Sequence, residues 1–363
     1  MSNVVTFGEI MGRLAPPGLL RFQQALPGRL DVTFAGAEAN VAASVVMLGG
    51  RASFVTALPK NPIADACVAS LRAVGIDTSH IVRTDQGRLG LYFLEIGANQ
   101  RPSQVVYDRD GASIALTPAS AYPWKLILSG AAWLHVTGIT PSLSRMAAEA
   151  VLAAVREAKA QGLTVSCDLN FRKKLWQWEP GTKPRELAER TMRQVLPCVD
   201  LLIANEEDAA DVLSIKAKDT DVAAGKLAVD RYPEVAHAIV SQFPNVQRVG
   251  ITLRESISAS HNNWGAMLYD APSHRAHLAP MAGERYEPYQ IRNIVDRVGA
   301  GDSFAAGLIC ALTTPELSTP QTAVAFAAAA SCLAHSVLGD FNFANRAEVE
   351  ALMKGSGAGR VVR

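Results

Sequence analysis

The sequence predicts an α/β chain built on a mainly parallel sheet with helices on both faces, joined by a small second β sheet, and three observations predict it. From about residue 131 onward, short β-rich apolar runs alternate with longer helical patterns, the rhythm of strand and crossover helix. Several of those runs, such as Leu201-Leu202-Ile203-Ala204, are apolar throughout, which suits strands covered on both faces. Nearer the N-terminus, residues 14–34 and 88–107 leave this rhythm and read as antiparallel strands.

Taken in order, the run Asn3-Val4-Val5-Thr6-Phe7 reads as a first strand. No basic region leads into a long apolar one there, so a signal peptide is not expected. Residues 89–96 and 104–107 read as two strands around the Gly-, Asn- and Pro-containing turn at 97–102. Segments 13–34 and 88–110 are therefore expected to form a small inserted sheet, either a lid over a pocket or an edge hairpin without function. The alternation then runs strand 132–136, helix 143–159, strand 164–168, helix 185–196, strand 200–204, helix 206–213 and strand 248–252. The most apolar stretch, 323–334, is interrupted by Ser331 and falls short of the roughly 20 residues that span a bilayer. It reads as a buried helix, and residues 354–359 read as a frayed tail. One large domain over 1–363 with the inserted lid accounts for the whole chain.

Composition narrows the function. Lys and Arg number 35 against 34 Asp and Glu, without the basic stripe of a nucleic-acid binder, so neither nucleic acid nor membrane is an expected partner. Cys67, Cys167, Cys198, Cys310 and Cys332 are odd in number, scattered and free of Cys-x-x-Cys spacing, which fits buried thiols in a reduced, cytoplasmic setting. His274 and His277 lie three apart, but no further ligand type completes a metal set around them.

The segment Asp296-Arg297-Val298-Gly299-Ala300-Gly301-Asp302-Ser303-Phe304-Ala305-Ala306-Gly307 leads into a helical pattern. Glycines 299 and 301 let backbone N–H groups converge, and a helix N-terminus adds partial positive charge. The result is an anion cradle. An aspartate inside it has a use as the base that takes a proton from a hydroxyl beside a transferring phosphoryl group. The alternative is a helix N-cap after a tight turn.

Separately, Asp168-Leu169-Asn170-Phe171-Arg172 closes a strand and enters a loop, where open α/β sheets place ligands. Alternation aims Asp168, Asn170 and Arg172 to one side, and Arg172 offers a fork for carboxylate or phosphate. A surface salt-bridge cluster is the competing explanation.

The glycine-rich segment resembles the C-terminal signature of the ribokinase-like (PfkB-type) carbohydrate kinases, and the resemblance extends over nearly the whole chain. It implies a doubly wound α/β fold with a small β lid, ATP with Mg2+, and Asp302 as catalytic base, with Gly299, Ala300 and Gly301 supplying N–H groups. Phe34-Ala35-Gly36-Ala37-Glu38-Ala39-Asn40 resembles the family's sugar-binding helix start, which implies sugar contacts at Gly36 and Asn40, with Ala35 in place of a glycine. Asn205-Glu206-Glu207-Asp208 resembles the Asn-x-x-Glu motif associated with magnesium and phosphate. It implies nucleotide contacts at Asn170 and Asn205 and a water-mediated metal role for Asp208, one methylene shorter than the usual Glu, or for Glu207. Thr252-Leu253-Arg254 stands where relatives show Thr-Leu-Gly, which implies ATP contacts at Thr252 and places a cation, Arg254, near the phosphates. Arg297 departs from the usual small residue.

Within that family, Arg172 in its Asp-Leu-Asn-Phe-Arg context, the Gly-Ala-Glu-Ala-Asn helix start, Tyr107-Asp108-Arg109 and Gly339-Asp340-Phe341-Asn342 look like 2-keto-3-deoxygluconate kinases. That resemblance implies a sugar acid whose carboxylate is fixed by Arg109, Tyr107, Tyr92 and Arg172. The same lid residues fit a homo-oligomer contact. A fructokinase or ribokinase acting on a neutral sugar is the alternative enzyme, and a non-catalytic sugar-binding protein the alternative from another class.

Overall fold

The chain begins with β1 (Asn3–Phe7), β2 (Met11–Ala15) and β3 (Asp31–Ala35), passes through a helix at Ala37–Met47 to β4 (Arg51–Val55), and continues through β5 (Ala57–Pro59) and β6 (Val82–Thr84) to β7 (Gly90–Glu95) and β8 (Gln104–Asp108). Its second half runs β9 (Trp133–Thr137), β10 (Thr164–Asp168), β11 (Leu201–Ala204), β12 (Arg248–Ser258), β13 (His261–Asp270) and β14 (Arg275–Ala279). The structure is a computed structural model and describes residues 3–205, 207–215 and 229–355. Glu206 and most of the expected tail, 356–359, lie outside the described residues.

Parallel pairing runs unbroken from β12 through β11, β10, β9 and β1 to β4. The alternation expected from residue 131 onward is present, and the sheet also takes in β1 and β4. One end departs from expectation. Strand β12 continues past Thr252 to Ser258, turns back, and pairs antiparallel with β13, which pairs antiparallel with β14. Residues Tyr289–Ile291 also pair antiparallel with β13, so this nine-stranded sheet is mixed, with an antiparallel margin.

The sheet is covered on both faces, and the alternation of its side chains shows this directly. Leu201 and Ile203 enter one core, with the helices Ala37–Met47, Ala300–Leu312 and Pro320–Ala334. Their neighbours Leu202 and Ala204 enter the other, with the helix Arg145–Ala160. Phe304 anchors the first core and is fully buried; truncating such a ring to Ala costs about 3–5 kcal/mol. The helix expected in the 323–334 stretch is Pro320–Ala334, which packs against Ala300–Leu312.

A separate four-stranded sheet has the order β3-β2-β7-β8. Strands β7 and β8 pair antiparallel around the 97–102 turn, as expected. Strand β2 joins β7 in parallel, Met11 opposite Gly90, so this sheet is mixed rather than a pair of hairpins. It begins at Met11, ahead of the expected boundary at 13. Among the described residues no helix is long and apolar enough to cross a membrane.

Candidate active site

The loops after β10 and β11, together with Thr252 and Arg254 of β12, open on a cleft whose opposite side carries Met11, Tyr92, Val105 and Tyr107 of the small sheet. This is the carboxyl edge of the parallel strands, where open α/β sheets leave a crevice. The cleft brings together Gly36, Asn40, Tyr92, Tyr107, Asp168, Asn170, Arg172, Asn205, Asp208, Thr252, Arg254, Gly299, Ala300, Gly301 and Asp302. Of the residues singled out from the sequence, Arg109 and Glu207 do not line it.

Two helix N-termini face each other across the cleft floor. The helix Ala300–Leu312 starts at Gly299, whose φ of 85° is the left-handed conformation that favours glycine. A Cβ there would sit 2.2 Å from the carbonyl oxygen of Asp340. Asp302 lies in the first turn, beside the open space over Gly301. The other helix, Ala37–Met47, starts after Gly36, where a Cβ would meet the Glu9 carbonyl oxygen at 2.0 Å. Its Asn40 donates from Nδ2 to Asp302 Oδ2 at 2.7 Å and accepts at Oδ1 from the Gly36 N–H at 3.2 Å. Burial pushes the Asp302 carboxyl up to about 7, while the Asn40 hydrogen bond and the charge of Arg172 pull it down and Asp340 pushes it up. A carboxyl poised there changes protonation near neutral pH, as a general base requires.

After β10 the chain enters a tight arrangement of polar groups. Asp168 Oδ1 accepts the Asn170 N–H at 3.1 Å, and Asn170 adopts a left-handed φ of 36°. Burial, then the charges of Asp208 and Asp302, hold Asp168 well above the usual carboxylate range, against the pull of Arg172. Asp208 accepts the Phe171 N–H at 3.1 Å on one oxygen and the Asn205 N–H at 3.0 Å on the other. Asn205 in turn accepts from the Glu207 and Asp208 N–H groups at 2.8 and 3.0 Å, an Asx turn that opens the short helix Asp208–Leu213. Glu207 is exposed at that helix start. Arg172 lies among these carboxyls and lowers Asp168, Asp208 and Asp302 alike.

Among the described residues no group of three His, Cys, Asp or Glu side chains could hold a metal ion. A magnesium ion carried on nucleotide phosphates keeps most of its water and needs no such cage. The carboxyls of Asp168 and Asp208 at the cleft fit contact through those waters. Arg254 and Arg297 also line the cleft. Arg297 donates to the carbonyls of Ser258 and Ala259 at 3.2 and 2.6 Å, and burial followed by the charge of Arg254 lowers its pKa.

On the small-sheet side, Tyr107 lines the cleft and is 45% exposed. Arg109 follows the end of β8 and is buried in an ion pair with Glu9, its guanidinium 5.4 Å from the Tyr107 ring centre. Sequence reasoning gave no role to four buried groups, three of which, Glu38, Asp296 and Asp340, stand inside its motifs. Glu38 accepts hydrogen bonds from Thr137 and Thr140 at 2.7 and 2.9 Å, and burial raises its carboxyl to about 7. Arg13, Asp296 and Asp340 form a buried ion cluster, joined by the Tyr92 hydroxyl, which donates to Asp340 at 2.8 Å. The signal for both is a charged residue inside an otherwise apolar element: Glu38 between alanines, and Arg13 in Met11-Gly12-Arg13-Leu14.

Comparisons with known proteins bear on the family and the fold. The family model described as pfkB family carbohydrate kinase matches residues 1–242 and 280–354. The chain is similar to 2-dehydro-3-deoxygalactonokinase of Haloferax volcanii, 30% identical over 361 residues, which is 99% of this chain and 98% of that one. It is also similar to the crystal structure of 2-dehydro-3-deoxygluconokinase from Thermotoga maritima, with a TM-score of 0.87, 43% identity and 98% of each chain covered. A fructokinase with bound ATP from Xylella fastidiosa, at 22% identity and TM-score 0.73 over 98% of each chain, shares the fold.

Proposed function

This chain belongs to the pfkB family of carbohydrate kinases, and on that premise we propose that it transfers the γ-phosphoryl group of ATP to the terminal primary hydroxyl of 2-keto-3-deoxygluconate, giving the 6-phosphate. The observation that carries this reading is Asp302, a carboxyl raised to about 7 at a helix N-terminus and oriented by Asn40, with Arg172 in the same cleft.

Asp302 takes the proton of the primary hydroxyl as its oxygen attacks the γ-phosphorus, and the oxygen bridging the β- and γ-phosphates leaves with ADP. The N–H groups at 299–302 and the helix N-terminus stabilise the charge on the transferring group. Thr252, Arg254 and Asn205 hold the nucleotide phosphates from the strand ends. Asp208 and Asp168 would hold magnesium through its waters, and the ion would neutralise phosphate charge there.

Gly36, Asn40, Asp168 and Asn170 serve the sugar hydroxyls. Arg172, with the Tyr107 hydroxyl on the other side of the cleft, reads the carboxylate, while Tyr92, whose one hydroxyl proton goes to Asp340, fixes the cleft wall beside it. Arg109 acts from behind, its cation over the Tyr107 ring and its charge balanced by Glu9. The small sheet at 13–34 and 88–110 serves as a lid that excludes water during transfer. Its edge strand β8 is exposed along its length, which suits cover by a second copy of the chain.

The test is ATP consumption with this keto acid by the parent protein and by Asp302→Asn. Turnover by the parent that the substitution abolishes supports the reading, and near-normal turnover by the variant overturns the assignment of the base.

A further inference from the structure

Two carboxylates, Asp296 and Asp340, lie buried against one guanidinium, Arg13, which is itself 3% exposed. The three come from widely separated parts of the chain. Arg13 belongs to β2 of the small sheet, Asp296 precedes the glycine-rich turn, and Asp340 lies in the loop after the helix Pro320–Ala334. Burying an ion cluster of this kind gains little stability over apolar packing of the same volume, because each charge loses its water. Its value lies in fixing geometry, and the hydrogen bonds around it show which geometry is fixed.

Asp296 Oδ1 accepts the N–H groups of Arg297 and Val298 at 2.8 and 3.2 Å, and its Oδ2 accepts the Gly339 N–H at 3.2 Å. It thereby sets the backbone leading into Gly299. Asp340 presents its carbonyl to Gly299, in the space a Cβ would occupy. Its carboxylate accepts the hydroxyl of Tyr92 from β7 at 2.8 Å. One guanidinium therefore bridges the small sheet, the turn that cradles the phosphoryl group and the loop that backs that turn.

We infer that Arg13 is a positioning residue for phosphoryl transfer: its two-pronged contact with Asp296 and Asp340 holds the 299–302 turn in register with the small sheet that carries Tyr92 and Tyr107. The inference rests on the reading of that turn given above. A guanidinium is suited to the task, because its planar fork meets two carboxylates at fixed angles, whereas an ammonium is a point charge. Loss of the bridge leaves two unpaired buried carboxylates beside the cradle and frees the turn to shift. A displacement of about 1 Å away from the chemistry is enough to cost about 100-fold in rate.

The experiment uses the full chain, with parent turnover of ATP and the keto acid established first, followed by Arg13→Ala and Arg13→Lys. Arg13→Ala is expected to lose about 100-fold in kcat with KM for ATP within about threefold of the parent, since the turn that serves the transition state is displaced. Guanidinium ion at millimolar levels is expected to restore about tenfold of that loss, and urea at the same concentration none, because only the cation replaces the missing charge. If the alanine variant fails to fold, Arg13→Lys decides: parent-like melting with kcat reduced about tenfold supports the two-pronged contact. A lysine variant with kcat within about twofold of the parent, a loss confined to KM, or equal rescue by urea overturns the inference. An inactive parent sinks the proposed function instead, so the two failures are distinguishable.

Discussion

Asn40 Nδ2 donates to Asp302 Oδ2 at 2.7 Å across 262 residues of sequence, joining the N-termini of two helices that pack in the same core. The bond orients the carboxylate before any substrate arrives, and an oriented base is what proton abstraction needs. Asp302→Asn keeps the shape and removes the basicity. Its kcat is expected to fall by about 100- to 10,000-fold while calorimetry shows ATP binding within a few-fold of the parent. Loss of nucleotide binding in step with turnover would reassign Asp302 to the donor site.

The raised carboxyl gives a pH signature. With Asp302 pushed up to about 7 by burial, its working, deprotonated form disappears as pH falls through that value, so kcat/KM should decline about tenfold per pH unit below it. The Asn40 hydrogen bond favours the ionised form, so Asn40→Ala should move the acidic limb to higher pH. A limb that stays put in Asn40→Ala, or moves to lower pH, contradicts the assignment.

Arg172 is the cation expected to read the substrate carboxylate. Arg172→Ala should raise KM for 2-keto-3-deoxygluconate by about 10- to 100-fold, the loss of a charge-assisted contact. The comparison is made with a neutral analogue lacking the carboxylate, whose KM should change far less. Equal losses on both would mean that Arg172 acts by holding Asp168 and Asp208 in place.

Gly299→Ala places a methyl group 2.2 Å from the Asp340 carbonyl oxygen, at a φ of 85°. Thermal unfolding should show a loss of about 1–3 kcal/mol from backbone strain, with turnover reduced more steeply than stability. An alanine variant with parent-like kcat would mean that the turn tolerates displacement and does not set the cradle.

Most of the main sheet was legible because its strands carry their own signal. Leu201-Leu202-Ile203-Ala204 is apolar on both faces, and the helices between such runs have the length of crossovers. The antiparallel margin was not legible past Thr252, because Arg254, Glu255 and Ser256 alternate with no apolar face once β12 leaves the sheet interior. The site reads well where local chemistry demands particular residues: Gly299 and Asp302 in one turn, Asp168 and Arg172 at one strand end. It reads poorly where function depends on distant partners. Arg109 carries the right group for a carboxylate, yet Glu9, 100 residues earlier, claims its charge. Arg13 looks like a misplaced charge in a strand until Asp296 and Asp340 come beside it.

The most direct test of the account is a coupled assay of ATP consumption by the parent protein with 2-keto-3-deoxygluconate, its galactonate-derived epimer, fructose and ribose side by side, with and without magnesium. Magnesium-dependent turnover confined to the keto acids is the predicted result. Preference for fructose or ribose would keep the kinase and contradict the sugar-acid assignment, and silence on all four would contradict the proposed reaction itself.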